Sequence, residues 1–163
     1  MAPVVSSVDV ARPPDEVFGY VTDPSRFAEW QDAVISGHID SDGPLRVGTR
    51  YTTIRRIRGE DQPLTSEITE ISPPRSWAMR GIDGPVRANV NVTVDPLDGG
   101  TRSRVTIALD FEGHGIGKVL VPLLVRPQAR NEMPGNIRRL KERLEDASGG
   151  ARSIPATSPA RPS

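Results

Sequence analysis

The chain has no cysteine. That excludes a disulfide, a thiol nucleophile and a thiolate metal site, and it fits a reducing cytosol. Histidine is almost as scarce: His38 and His114 are the only two, so no protein metal site is expected. Aromatic residues make up 4% of the chain, which leaves few platforms for stacking bases. Charge of one sign is lacking too. Lys+Arg and Asp+Glu both number 21, so nothing pulls the whole molecule towards nucleic acid or anionic lipid. Lys118 and Lys141 are the only lysines, and this arginine bias reads as genomic base composition more than as a binding site. Arg55, Arg56 and Arg58 form one small basic run; Arg138, Arg139, Lys141 and Arg143 are interleaved with Glu142, Glu145 and Asp146, as on an ordinary solvated helix face. No nucleic-acid partner is expected. The longest apolar run, Val119–Val125, is broken by Pro122 and falls far short of the ~20 residues a membrane span needs. The opening MAPVVSSVDVARPPDE has neither a basic n-region nor a long apolar core, so no secretory leader is expected and the cytoplasm is the expected location. No Ser/His/Asp arrangement, phosphate-cradling glycine loop, HExxH or dinucleotide fingerprint is present, and no cofactor is implied.

What remains is organised around the last long helix, expected over residues 117–147. Met133, Ile137, Leu140 and Leu144 follow one another at steps of four, three and four and line one stripe. The earlier stretch IGKVLVPLLV is apolar almost all round. Pro122, Pro127 and Pro134-Gly135 predict a kinked or broken helix there, with short pieces feeding a regular segment from Gly135.

Before this helix the chain alternates strands and turn signals. Val4–Ala11 reads as a strand with Val8 and Val10 inward, stopped by Pro13-Pro14. Asp15 and Glu16 open a short helix with Val17, Phe18 and Val21 inward. Asp23-Pro24 caps a second, with Phe27 and Trp30 inward. Six strands follow: 34–40, 49–58, 64–71, 75–83, 86–94 and 101–111, separated by Gly/Pro/Asp turns, which predicts an antiparallel meander. On the sixth strand Val86, Ala88, Val90, Val92 and Val94 share one face; on the seventh Val105, Ile107, Leu109 and Phe111 do. The third is polar on both faces, the pattern of a cavity wall or of an edge strand. From Ser148 a Gly/Pro/Ser-rich tail is expected, outside a single domain over 1–147.

This order is the α+β helix-grip arrangement: a curved antiparallel seven-stranded sheet wrapped around a long C-terminal helix, with two short helices between strands 1 and 2. The residues carry a resemblance as well. VDVARPPDEVFGYVTDPSRFAEW, LRVGTRY, EITEISPPRSWAMRGIDGPV, VDPLDGGTRSRVTIALDFEG and the closing IRRLKERLE resemble the SRPBCC superfamily over about residues 4–147. That is the START/Bet v 1-like group of polyketide cyclases/dehydrases and lipid carriers. The resemblance implies a cavity between the concave sheet face and the helix. Its expected lining is Trp30, Tyr51, Trp77, Met79, Val90, Val92, Val105, Ile107 and Leu109 below, with Val119, Leu120, Leu123, Leu124 and Met133 from the helix; the same residues suit a filled core.

Polar candidates are few. His38 and Arg80 fall on solvent-facing parities, His114 lies in a glycine-flanked loop, and Tyr51, Arg55, Glu67 and Asn89 sit on strands with one face able to turn inward. No catalytic residue is assigned. The leading expectation is a non-catalytic monomer or homodimer that binds or carries a hydrophobic or amphipathic small molecule: a lipid, an isoprenoid quinone or a polyketide. The alternatives are an aromatase/cyclase-like enzyme using Tyr51, Arg80 or His114, and an interaction module similar to the superfamily's ribosome-directed toxins.

Overall fold

Strict alternation along the sixth and seventh strands sets the frame of the sheet. In the computed structural model, which describes residues 3–57 and 59–157 with side chains through residue 146, these are β6 (Val86–Leu97) and β7 (Arg102–Gly113). They pair antiparallel with Val90 opposite Leu109, Val92 opposite Ile107 and Val94 opposite Val105. Branched side chains facing one another across a ladder are the stabilising unit of a sheet. On one flank β1 (Val4–Val10) joins β7; on the other come β5 (Ser76–Gly81), β4 (Glu60–Ser72), β3 (Arg50–Ile57) and β2 (Val34–Ile39). The result is one seven-stranded antiparallel sheet in the order β1-β7-β6-β5-β4-β3-β2. This is the expected meander, with strand ends moved by a few residues; β4 gains most, since pairing of residues 60–63 with β3 extends it towards Gly59.

Two short helices cross from β1 to β2. The first, α1 (Pro14–Val21), buries Val17, Phe18 and Val21. The second is a 3₁₀ helix, Pro24–Glu29, capped by Asp23, whose carboxylate accepts from the Ser25 amide at 3.0 Å. It presses directly on β2. A β-carbon at Gly37 would lie 2.3 Å from the Pro24 carbonyl oxygen, so only glycine lets the helix approach this closely.

The C-terminal helix closes the inner face. Met133, Ile137, Leu140 and Leu144 are all buried, as their spacing predicts. The Lys141 ammonium donates to the Asp9 carbonyl at 2.7 Å, and the Glu145 carboxylate accepts from the Ala11 amide at 2.9 Å. Both contacts tie this helix to β1.

The expected breaks are mostly absent. The chain runs α2 (Gly117–Leu120), a π turn (Val121–Val125) and α3 (Arg126–Thr157) without a gap. Only the π turn departs from regular geometry, and Pro122 sits in its first positions. Pro127 directly follows the π turn, and it and the turn before it, Pro122 and Leu123, are exposed, so the carbonyl left without its N–H faces water. Pro134 is exposed, so the carbonyl it leaves unpaired faces water, and the helix is already regular before Gly135. The tail expected from Ser148 overlaps α3 in backbone only as far as Thr157 and then lies outside the described residues.

Candidate ligand-binding site

Phe27, delivered by the 3₁₀ helix, is the centre of an aromatic cluster on the inner face of the sheet. Its ring meets Trp30 and Tyr51 edge-on, both with centroids 6.0 Å away, and Trp77 at 6.4 Å. Tyr51 and Trp77 stack on each other at 6.3 Å. Trp30, Tyr51 and Trp77 are only 5, 1 and 3% exposed. Each nevertheless carries a buried polar atom with no hydrogen-bond partner among the described residues: Trp30 Nε1, Tyr51 Oη and Trp77 Nε1. An unpaired buried donor costs about 1–3 kcal/mol, and folded proteins leave few of them. Three in one cluster of touching rings mark a place where acceptors are wanted.

Arg55 adds a cation to this wall. It follows Tyr51 and Thr53 on the inner face of β3, where residues of one parity are turned inward. Its Nη2 donates to Gln31 Oε1 at 2.8 Å, and that partner is a neutral amide. Burial holds the Arg55 guanidinium below the ordinary arginine range, offset in part by Tyr51 and by the Glu132 carboxylate on α3. Burial likewise pushes the Tyr51 phenol above its usual value; the Ser66 side chain opposite it on β4 and Arg55 act the other way, but Ser66 lies near the phenol without meeting its hydroxyl in hydrogen-bond geometry. Tyr51 therefore remains a neutral O–H donor throughout the physiological range. The loop that carries Trp30 and Gln31 is fastened to α3: Arg139 Nε donates to the Trp30 carbonyl at 3.3 Å, and the Asp32 amide donates to Asn136 Oδ1 at 3.1 Å.

Burial on the inner face is graded. Val92, Val94, Val105 and Ile107 are closed over, whereas Met79, Val90 and Leu109, next along the same ladders, are only partly buried. So are Ala88 and Phe111 beyond them. The inner face is thus sealed at one end and left partly uncovered towards the start of the C-terminal helix. Together with the aromatic cluster and Arg55 this makes a surface with a polar region and an apolar region, suited chemically to an amphipathic molecule.

The overall match to known proteins agrees with this fold. A profile described as polyketide cyclase/dehydrase and lipid transport matches residues 1–145. The chain belongs to that family. Among relatives, the uncharacterized protein Rv1546 of Mycobacterium tuberculosis is 27% identical over 117 residues, 71% of this chain and 80% of its own length. Rv0088 of the same organism is 34% identical over 71 residues, covering 43% of this chain and only 32% of that relative. The fold is similar to the Zhui aromatase/cyclase from a Streptomyces species, with a TM-score of 0.72 at 18% identity over 88% of this chain and 93% of that one. A START superfamily protein from Mycobacterium smegmatis also gives 0.72, at 15% identity over 90% and 99%.

Within this family member the residues expected to line a cavity divide by position. Trp30, Tyr51, Trp77, Val92, Ile107 and Met133 lie in the closed core cluster; Met79, Val90 and Leu109 stand at its open side. Leu120 is half-buried and Leu124 is 40% exposed, so they form a rim. Val119 and Leu123 point to solvent. The reason is the π turn, which takes about one extra residue per turn and re-phases the helix, so that Val121 is buried instead.

The third strand is not an edge, since β2 covers its outer flank; its inward polar groups belong to the wall of the site. Arg80 and Asn89 pair across β5 and β6 on the outer face with Glu112, which accepts from Asn89 at 2.8 Å. An open depression of about 410 Å³ lies there, lined by Arg80, Gly81, Ile82, Arg87, Glu112 and His114. It is on the opposite side of the sheet from the aromatic cluster. Glu67 pairs with Arg50 at 3.5 Å, and His38 lies 3.1 Å from Asp40, both at the outer surface. Gln31 and Glu132 escaped the sequence reading, and Phe27, expected inward on the second short helix, was not counted among the lining residues. Phe27 carried a signal in the Asp23 cap that starts its helix; Gln31, in the loop after that helix, and Glu132, one acid among many on α3, carried none.

Proposed function

We propose that this protein binds or carries a hydrophobic or amphipathic small molecule, such as a lipid, an isoprenoid quinone or a polyketide, between the inner sheet face and the C-terminal helix. The observation that carries this reading is the set of unpaired donors on Trp30, Tyr51 and Trp77 beside the Arg55 guanidinium. Acceptor oxygens of the ligand take those donors, while Met79, Val90 and Leu109, with Leu120 and Leu124 at the rim, receive its apolar part. The absence of cysteine supports a cytoplasmic setting.

Native mass spectrometry of the purified protein, followed by denaturing extraction, tests the reading. A co-purifying amphiphile whose retention is lost in Trp77→Ala is the expected result. If added lipid, quinone and polyketide probes all fail to bind, or bind Trp77→Ala as well as the parent, the reading falls. An aromatase/cyclase activity is the second reading, favoured by the shared inward face of Tyr51 and Arg55. In it Tyr51 protonates or holds an enolising carbonyl; turnover lost in Tyr51→Phe with binding retained would separate it from carriage.

A further inference from the structure

Ile116, Val119, Leu123 and Leu124 are 66, 57, 68 and 40% exposed. Among the described residues the other exposed large hydrophobics, Val5, Ile35, Val47 and Ile57, are scattered singly over three strands and a loop, which is normal for any surface. These four instead fall within nine residues, about two and a half turns, at the start of the helix, and contiguous exposed apolar surface marks an interaction site. The patch cannot fold inward. A β-carbon at Gly117 would lie 1.8 Å from the Pro85 carbonyl oxygen, and the His114 amide donates to that same carbonyl at 2.8 Å, so the helix start is seated hard on the β5–β6 turn.

The charge around the patch is as uneven as its hydrophobicity. From Gly113 to Asn131 there is no Asp or Glu, while Lys118, Arg126 and Arg130 fall inside the stretch. Arg126 is turned in and paired with Asp110. Lys118 and Arg130 remain exposed beside the apolar residues. The neutral balance of the whole chain therefore conceals a local cationic and apolar surface. That combination is what an interfacial helix presents to anionic lipid. A second copy of the chain is a poorer fit, because a two-fold contact through this patch would bring Lys118 and Arg130 of each copy towards the same cations of the other.

We propose that this helix start docks on an anionic membrane surface, with Ile116, Val119, Leu123 and Leu124 entering the interface and Lys118 and Arg130 meeting lipid phosphates. The patch adjoins the partly uncovered end of the inner face, so docking would bring that opening to the bilayer. The proposal does not depend on the ligand reading, because vesicle binding is measured without cargo.

Flotation of the full chain with vesicles of phosphatidylcholine alone, and of phosphatidylcholine with about one-third phosphatidylglycerol, tests it. The protein is expected to float with the anionic vesicles and to be released as salt is raised towards ~1 M. Val119→Glu combined with Leu123→Glu is expected to lower partitioning at least ~tenfold, and Lys118→Glu to lower it less. Both positions are solvent-facing, so circular dichroism and melting should match the parent. Val47→Glu, at an exposed apolar residue elsewhere, should change nothing. The proposal is overturned if neither vesicle type is bound, if the double variant floats like the parent, or if the parent is a dimer that the double variant splits without any vesicle binding.

Discussion

Tyr51 is held in a conflict that one atom resolves. Its ring is stacked and buried, yet its hydroxyl has no hydrogen-bond partner among the described residues. Tyr51→Phe removes the unpaired group while keeping the ring. The empty protein is expected to gain about 1 kcal/mol of stability, read as a higher melting temperature, because the desolvation cost disappears. Ligand affinity is expected to fall about five- to tenfold in the same variant, since the donor that waits for an acceptor is gone. A variant that loses stability instead would show that the hydroxyl is satisfied by an internal water. Arg55 gives the complementary case. Arg55→Met retains the aliphatic stem but deletes the charge, so stability should change by less than about 1 kcal/mol or rise, as for other buried charges replaced by apolar groups. Binding of a ligand with an anionic or carbonyl end should weaken at least ~tenfold, and titration calorimetry distinguishes the two effects.

The 3₁₀ helix and β2 act as one element, because Pro24 rests on Gly37. Gly37→Ala forces them apart, and overpacking of this kind costs about 1–3 kcal/mol. The consequence reaches the site, since Phe27 and Trp30 ride on that helix and its end. Tryptophan fluorescence should shift along with the melting temperature; destabilisation with an unchanged emission spectrum would mean that the aromatic cluster is held by α3 alone. The C-terminal helix shows how an element can obey its pattern in one half and depart from it in the other. Spacing of Met133, Ile137, Leu140 and Leu144 predicts the buried stripe correctly. Prolines in the first half predict a break, but Pro127 and Pro134 occupy places where a missing N–H is tolerated, and only the π turn at Val121–Val125 remains.

The molecule as a whole is closed by carboxylates that join its parts. Asp9 binds Arg104 between β1 and β7, and that hydrogen bond above all holds it below the usual aspartate value. Asp110 is lowered by the Phe111 amide and then by Arg126, which links β7 to α3. Glu145 is lowered as well: burial acts to raise it, but the Ala11 amide and Lys141 outweigh that. A carboxylate lowered in the folded state contributes stability that is fully present above its unfolded value and lost as pH falls through the folded one. Ordinary values here are 3.8 for aspartate and 4.5 for glutamate. Calorimetric melting temperature should therefore hold steady down to about pH 5 and fall progressively below it, and a flat profile to about pH 3 would remove these three contacts from the account of stability.

What the sequence determined by itself is the meander, its inward faces on β6 and β7, the buried stripe of α3 and the family resemblance. Each rests on a local period of two or of three to four residues, or on a motif, and local periods survive in any tertiary setting. It left β3 ambiguous, because a strand polar on both faces has no period to read; only the placement of β2 beside it made Tyr51 and Arg55 part of an interior wall. In a nearly all-apolar stretch it also turned Val119 and Leu123 inward and passed over Val121, the reverse of what the fold decided. That decision came from a π turn and from Gly117 seated on Pro85, contacts between segments far apart in the chain. The unpaired donors of Trp30, Tyr51 and Trp77 are likewise invisible in sequence, since whether a polar atom finds a partner is a property of three-dimensional packing and not of residue type.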